Sequence, residues 1–184
     1  MIKAIETIYK GYRFRSRLEA RWAVFFDALN TIWQYEPEGY VLEDGSTYLP
    51  DFWFDLLPGN EMIEKWGFFV EIKPCAPTDA ERQKLHLLAK GTRHTTMCFW
   101  GEPSEDNWHV AIYKGQGDGE LYMYDGKFSV EWLCFEETKV FNIFMHHTPF
   151  GYLWEAMPAK IQAKYLTRAF SAFRAARFEF GEKG

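Results

Sequence analysis

The chain has 184 residues, 47% of them hydrophobic, with 17 Phe, 10 Tyr and 8 Trp; that is the length of one domain with ample apolar mass for a packed core. No apolar run reaches the length of a membrane span. The net charge of −5 and pI near 5.6 exclude the usual footprint of a general nucleic-acid binder, a pI above about 9.

The charge is segregated, however. Residues 1–21 carry Lys3, Lys10, Arg13, Arg15, Arg17 and Arg21 against Glu6 and Glu19, residues 22–64 carry no Lys or Arg, and basic character returns after residue 158. Local fields rather than net charge steer a phosphate backbone. Cys75, Cys98 and Cys134 are odd in number and form no CxxC pair. Together with an N-terminus lacking an apolar signal core, they predict a reduced cytoplasmic protein.

Ser16 to Leu29 is predicted to be helical, because Leu18, Trp22, Phe25, Phe26 and Leu29 recur on one stripe. Ser16 and Glu19 have the spacing of a capping box. Thr31 to Leu42 reads as extended, Glu43-Asp44-Gly45-Ser46 as a turn, and Tyr48 to Leu57 as a second strand carrying Asp51. Pro50 marks an edge, a bulge or a strand start, and Pro58-Gly59-Asn60 breaks the strand. Phe68 to Lys73 is a third strand. Thr78 and Glu81 cap a second helix that ends at Gly91, and Arg93 to Trp100 is a fourth strand. The first three strands are expected to run antiparallel, with the second helix crossing to a parallel partner.

Beyond this core, strand-like runs cover Trp108–Lys114, Glu120–Tyr124 and Lys127–Phe135. Gly115 to Gly119 and Asp125-Gly126 read as hairpin turns. Pro158 to about Phe180 reads as a long amphipathic helix. Lys160, Lys164, Arg168 and Arg174 fall within an arc of roughly 120° on an ideal wheel, with Ile161, Tyr165, Ala169, Phe173 and Ala176 mostly opposite. The expected architecture is therefore α/β: a core over residues 1–105, and over 106–184 a β-hairpin extension and a basic helix packed on it as one compact domain.

Chemistry concentrates in Leu49-Pro50-Asp51-Phe52 and Phe69-Val70-Glu71-Ile72-Lys73. Residues two apart on a strand share a face, so Glu71 and Lys73 project together, away from Val70 and Ile72. Carboxylate oxygens suit magnesium, which takes one or two carboxylates and keeps positions for water and phosphate. A neighbouring lysine stabilises an attacking hydroxide or a charged phosphorane-like state. No Ser/His/Asp arrangement or Gly-rich phosphate loop competes, and no organic cofactor is expected. His146-His147 lacks a spaced third ligand and reads as surface or packing histidines.

These strings, with Phe14-Arg15-Ser16-Arg17-Leu18-Glu19 and Trp33-Gln34-Tyr35-Glu36, resemble the PD-(D/E)XK nuclease superfamily. Within it they are closest to the endonuclease I class of phage Holliday-junction resolvases and related phage nucleases. The resemblance covers roughly residues 12–100. It implies a restriction-endonuclease-like core and a magnesium-dependent DNA endonuclease, manganese substituting, in the cytoplasm of a phage's bacterial host. Glu19, Asp51 and Glu71 would be metal-associated acids and Lys73 the catalytic lysine. Pro74 stands where a glycine commonly follows the lysine, and the Asp51–Glu71 link is long for a resolvase. Both bear on junction selectivity more than on the fold.

Each residue also has a plainer role. Glu19 suits a helix cap. Glu71 and Lys73 would make an ion pair on an edge strand, and Asp55 is a reserve ligand on the Asp51 side. Arg13, Arg15 and Arg17, and the basic arc of the last helix, are DNA contacts or a solvated face. The expected activity is hydrolysis of structured or branched DNA by a homodimer, since a branched substrate offers two scissile strands. A catalytically silent nuclease-fold module that binds DNA or protein, for example against a host defence system, and a restriction-like nuclease are the alternatives.

Overall fold

The computed structural model describes residues 6–55, 67–103, 108–113, 123–128, 130–134, 141–145 and 159–178. It is a mixed α/β protein whose described residues form two units: residues 1–32, 103–106 and 129–184, and residues 33–102 and 107–128.

The first unit opens with a hairpin, β1 (Thr7–Tyr9) and β2 (Tyr12–Phe14), which the sequence reading missed. Lys10 and Gly11, between the paired Tyr9 and Tyr12, both have positive φ (47° and 83°). Two such residues give the twist that matches a tight hairpin. Helix α1 (Arg17–Ala28) follows with Ser16 as N-cap. Its predicted stripe is internal: Trp22, Phe25, Phe26 and Leu29 are buried, although Leu18 is only half-buried. Helix α1 packs on helix α3 (Ala159–Ala175) through aromatic rings, Trp22 against Phe173 at 6.0 Å and Phe25 against Phe170 at 5.4 Å. Arg21 adds a hydrogen bond to the Phe173 carbonyl (3.2 Å) and lies 4.1 Å over its ring.

The predicted last helix ran to about Phe180. The observed α3 stops at Ala175, and the chain leaves the helix so that Phe178 is buried, edge-on to Tyr9 at 6.0 Å.

The second unit is built on a six-stranded sheet. Its order is β10 (Met123–Phe128), β9 (Trp108–Tyr113), β8 (Thr95–Trp100), β7 (Gly67–Lys73), β6 (Phe52–Asp55), β3 (Trp33–Tyr35). Strands β3, β6 and β7 are antiparallel neighbours, and β7 and β8 are parallel, joined through helix α2 (Asp79–Thr92). This is the expected order of three antiparallel strands, a crossover helix and a parallel strand.

The strand predicted over Tyr48–Leu57 is broken. Thr47–Tyr48 (β5) pairs with Tyr40–Val41 (β4) around the 43–46 turn, and β6 starts only at Phe52. Likewise the extended run over Thr31–Leu42 is two strands, β3 and β4. Pro50 cannot donate to a ladder, which separates β5 from β6 and leaves Asp51 at the entry of β6.

Asp125-Gly126 is not a turn: Asp125 pairs with Ala111 and Gly126 with Val110 inside β10. Pairing along β9 overrides the local turn preference. The run predicted as Lys127–Phe135 divides between β10 and β11 (Val130–Cys134), which pairs with β12 (Phe141–Met145). The Gly115–Gly119 turn lies outside the described residues.

Alternation decides what each sheet face carries. Phe69, Glu71 and Lys73 share one face of β7 and lie with Trp53 of β6 and Cys98 of β8, their cross-strand partners. Leu85, Leu87, Leu88 and Ala89 of α2 pack on this face. On the other face Phe52, Phe54, Phe68, Val70, Ile72 and Phe99 are buried. Among the described residues, no helix is long and apolar enough to cross a membrane.

Candidate metal and phosphate site

Asp51, Glu71 and Lys73 come together where β6 begins and β7 ends. Asp51 is fixed from three directions. Its carbonyl accepts from the Glu36 N–H (2.8 Å), its own N–H donates to Glu71 Oε2 (3.3 Å), and its Oδ2 accepts from the Ile72 N–H (2.8 Å). Each acid therefore binds the backbone of the other's strand. Glu36 reaches Asp51 from a left-handed backbone conformation (φ 46°), uncommon for a residue with a side chain.

Both acids are buried, Asp51 at 3% and Glu71 at 5% exposure. Two buried carboxylates repel and are costly without hydrogen bonds and compensating charge. Lys73 supplies part of it: its Nζ lies 2.8 Å from Glu71 Oε1, as the shared strand face predicts, and 3.3 Å from Glu81 Oε1. Burial pulls the lysine's pKa down, but the Glu71, Asp51 and Glu81 charges and the bond to Glu71 raise it above the ordinary value. The Gly101 N–H, bonded to the Lys73 carbonyl (2.9 Å), holds the lysine's backbone beyond the last strand pair.

Glu81 was read from the sequence only as a cap. Its Oε2 accepts from the Thr78 N–H and hydroxyl (both 2.8 Å), and the Thr78 hydroxyl accepts from the Glu81 N–H (3.4 Å). Its other oxygen reaches Lys73, so one residue ties the start of α2 to the lysine. Asp55, the reserve ligand, accepts a hydrogen bond from Trp53 Nε1 (2.8 Å), a bond within β6.

Tyr48 was not singled out in the sequence, where it looks like any core aromatic. Its ring packs against both apolar clusters under α2. Its hydroxyl is buried, within the field of Glu71, and has no hydrogen bond of ordinary geometry. Burial first, then the Glu71 and Asp51 charges, hold the phenol well above its ordinary pKa.

The donor set fits a hard divalent cation. Two carboxylates face one lysine, a carboxylate carries about four lone-pair sites, and a buried hydroxyl lies beside them with its own hydrogen bond unmade. Asp51 and Glu71 would hold the ion. Among the described residues, no group of three or more His, Cys, Asp or Glu side chains is gathered to hold a metal. A pair of acids suits magnesium, which keeps several waters.

Glu19 belongs to the first unit, where it is buried. Its N–H donates to Ser16 Oγ (3.1 Å), its Oε1 accepts from the Ser16 hydroxyl (2.7 Å), and its Oε2 accepts from the Arg15 N–H (3.2 Å). The expected Ser16 cap is present, but the Glu19 carboxylate takes the Arg15 N–H, one residue before the cap, where a capping box would have it take the Ser16 N–H.

Of the predicted DNA contacts, Arg13 on β2 and Arg15 are exposed and Arg17 opens α1 half-buried. Arg13 lies 3.6 Å from Glu6. On α3, Arg168 and Arg174 are exposed, opposite the buried Ala169 and Phe173. The side chains of Lys160 and Lys164, and all of His146-His147, lie outside the described residues. No protein-family model, curated protein or solved structure matches the chain.

Proposed function

We propose that the protein is a magnesium-dependent endonuclease that hydrolyses DNA phosphodiester bonds, acting on structured or branched DNA in phage replication or recombination. The observation that carries this reading is the reciprocal bonding of the buried Asp51 and Glu71, with Lys73 2.8 Å from Glu71. A merely structural ion pair needs one acid for one lysine. Here a second acid is buried beside the first, and that excess negative charge suits a cation.

A divalent cation held there supplies Lewis-acid polarisation of a phosphoryl oxygen and lowers the pKa of water. The protein's own groups do the rest. Asp51 and Glu71, fixed through the backbone of the opposite strand, fix the cation with little freedom to reorganise. Water adds to phosphorus and loses a proton to solvent, the bond to the leaving sugar oxygen breaks, and that oxygen takes up a proton. The Lys73 ammonium stabilises the negative charge that gathers on the phosphoryl oxygens. Glu19 enters this reading as a third acid through the resemblance alone. Arg13, Arg15, Arg17 and the basic face of α3 would hold DNA, and a homodimer would address both strands of a junction.

The acidic net charge of −5 favours a second reading, a nuclease-fold module that binds DNA or protein without cleaving. Incubating the protein with a four-way junction, a flap, linear duplex and single-stranded DNA, with and without magnesium or manganese, separates the two. Cation-dependent cleavage strongest on the junction or flap is expected. Binding with no cleavage of any substrate supports the silent module, and equal cleavage without a cation rejects the metal site.

A further inference from the structure

The Tyr48 hydroxyl is a buried polar group that packing does not explain. The ring fills space between the cluster of Leu42, Trp53, Phe69, Leu87 and Leu88 and that of Leu85, Ala89, Cys98, Ala111 and Tyr113. Phenylalanine would fill the same space. A buried hydroxyl with no hydrogen bond made is destabilising, and the Tyr48 oxygen makes none.

Its place in the fold says what the oxygen is for. Strand alternation puts Glu71 between Phe69 and Lys73 on the α2 face, directly across from Cys98. Tyr48 packs against both clusters, one of which contains Phe69, two residues before Glu71 on the same face, and the other Cys98, across from Glu71, and its hydroxyl lies within the fields of Glu71 and Asp51. Two acids with a buried hydroxyl beside them suit a partner that neutralises the acids and brings a hydrogen-bond donor to the hydroxyl oxygen. A hydrated divalent cation does both.

We propose that Tyr48 is a positioning residue of the divalent-cation site, its hydroxyl donating to the Asp51–Glu71 pair and accepting from the cation's water when the ion is held. This rests on the cation site proposed above. Groups that orient metal ligands from outside typically affect affinity about 10–100-fold.

The test uses the full chain and Mn2+ as the only added ligand, with affinity read by calorimetry and melting temperature read with and without the ion. Tyr48→Phe should melt at or above the wild-type temperature without Mn2+, because a buried unmade hydrogen bond is removed. Its Mn2+ affinity should fall roughly 10–100-fold, and the rise in melting temperature on adding Mn2+ should shrink with it. Wild-type affinity in Tyr48→Phe overturns the inference and leaves the cation site standing. A Tyr48→Phe variant that melts well below wild type in the absence of Mn2+ also overturns it, since the hydroxyl would then serve the ion-free fold. A wild-type chain that binds no Mn2+, while Asp51→Asn behaves identically, removes the cation site itself and the inference with it.

Discussion

At the residue scale, Glu19 and Glu81 do similar local work. Each binds the N-terminus of its own helix, and each has a further charge-dependent role to test. Glu19→Gln keeps a side chain able to close the cap and removes the charge. If Glu19 is the third acid, the variant melts like wild type and loses cation-dependent cleavage. Full activity in a fully folded variant confines Glu19 to the cap. For Glu81, burial pushes the carboxyl pKa up, but the Thr78 hydrogen bonds and the Lys73 charge bring it below the ordinary value. A depressed folded pKa contributes stability above the unfolded value of about 4.3, and that stability is lost as pH falls through the folded value. The stability difference between wild type and Glu81→Gln should therefore be constant above about pH 5.5 and shrink toward pH 3, as read by urea unfolding at each pH. A difference independent of pH would show that the charge on Glu81 contributes nothing.

At the element scale, the junction of β6 and β7 is the tightest constraint on the site. A Cβ at Gly67 would overlap the Trp53 ring and crowd the Phe54 carbonyl oxygen, both on the strand that begins with the Asp51 entry. Gly67→Ala should destabilise by roughly 1–3 kcal/mol, measured by denaturant unfolding, because neither the backbone nor an indole buried against Phe69 can move away freely. A neutral result would mean that β6 is loosely held. The central order of β3, β6, β7, α2 and β8 was legible because its signals are local and strong: Thr78 and Glu81 cap a periodic run, and Glu71 and Lys73 flank Ile72 on a short apolar strand. The N-terminal hairpin was not, since its strands have three residues each and Lys10-Gly11 is a weaker turn signal than Asn-Gly. Asp125-Gly126 misled for the opposite reason, a strong turn pair drawn into a strand by pairing with β9. Asp51, Glu71 and Lys73 were found by strand parity and by motif. Tyr48 carried no signal, because its proximity to Glu71 depends on how the β4–β5 hairpin lies over the α2 face of the sheet.

At the scale of the whole molecule, an acidic protein proposed to act on DNA needs local basic surface. Changing Lys160, Lys164, Arg168 and Arg174 to Gln should weaken DNA binding about equally across sequences. It should also flatten the salt dependence by up to roughly one unit of log–log slope for each phosphate no longer neutralised. Turnover at saturating DNA and the melting temperature should hold, because the buried Ala169, Phe170 and Phe173 are untouched. An unchanged salt slope would make this arc a solvated face and move the DNA surface to Arg13, Arg15 and Arg17. The central claim, that Asp51 and Glu71 form a cation site for phosphodiester hydrolysis, is tested most directly by cleavage of a four-way junction in magnesium by wild type, Asp51→Asn and Glu71→Gln. The account predicts cation-dependent cleavage by wild type and a loss of at least about a hundredfold in each folded variant, the few kcal/mol of transition-state stabilisation that such charges supply. Wild-type cleavage surviving in both variants would contradict it.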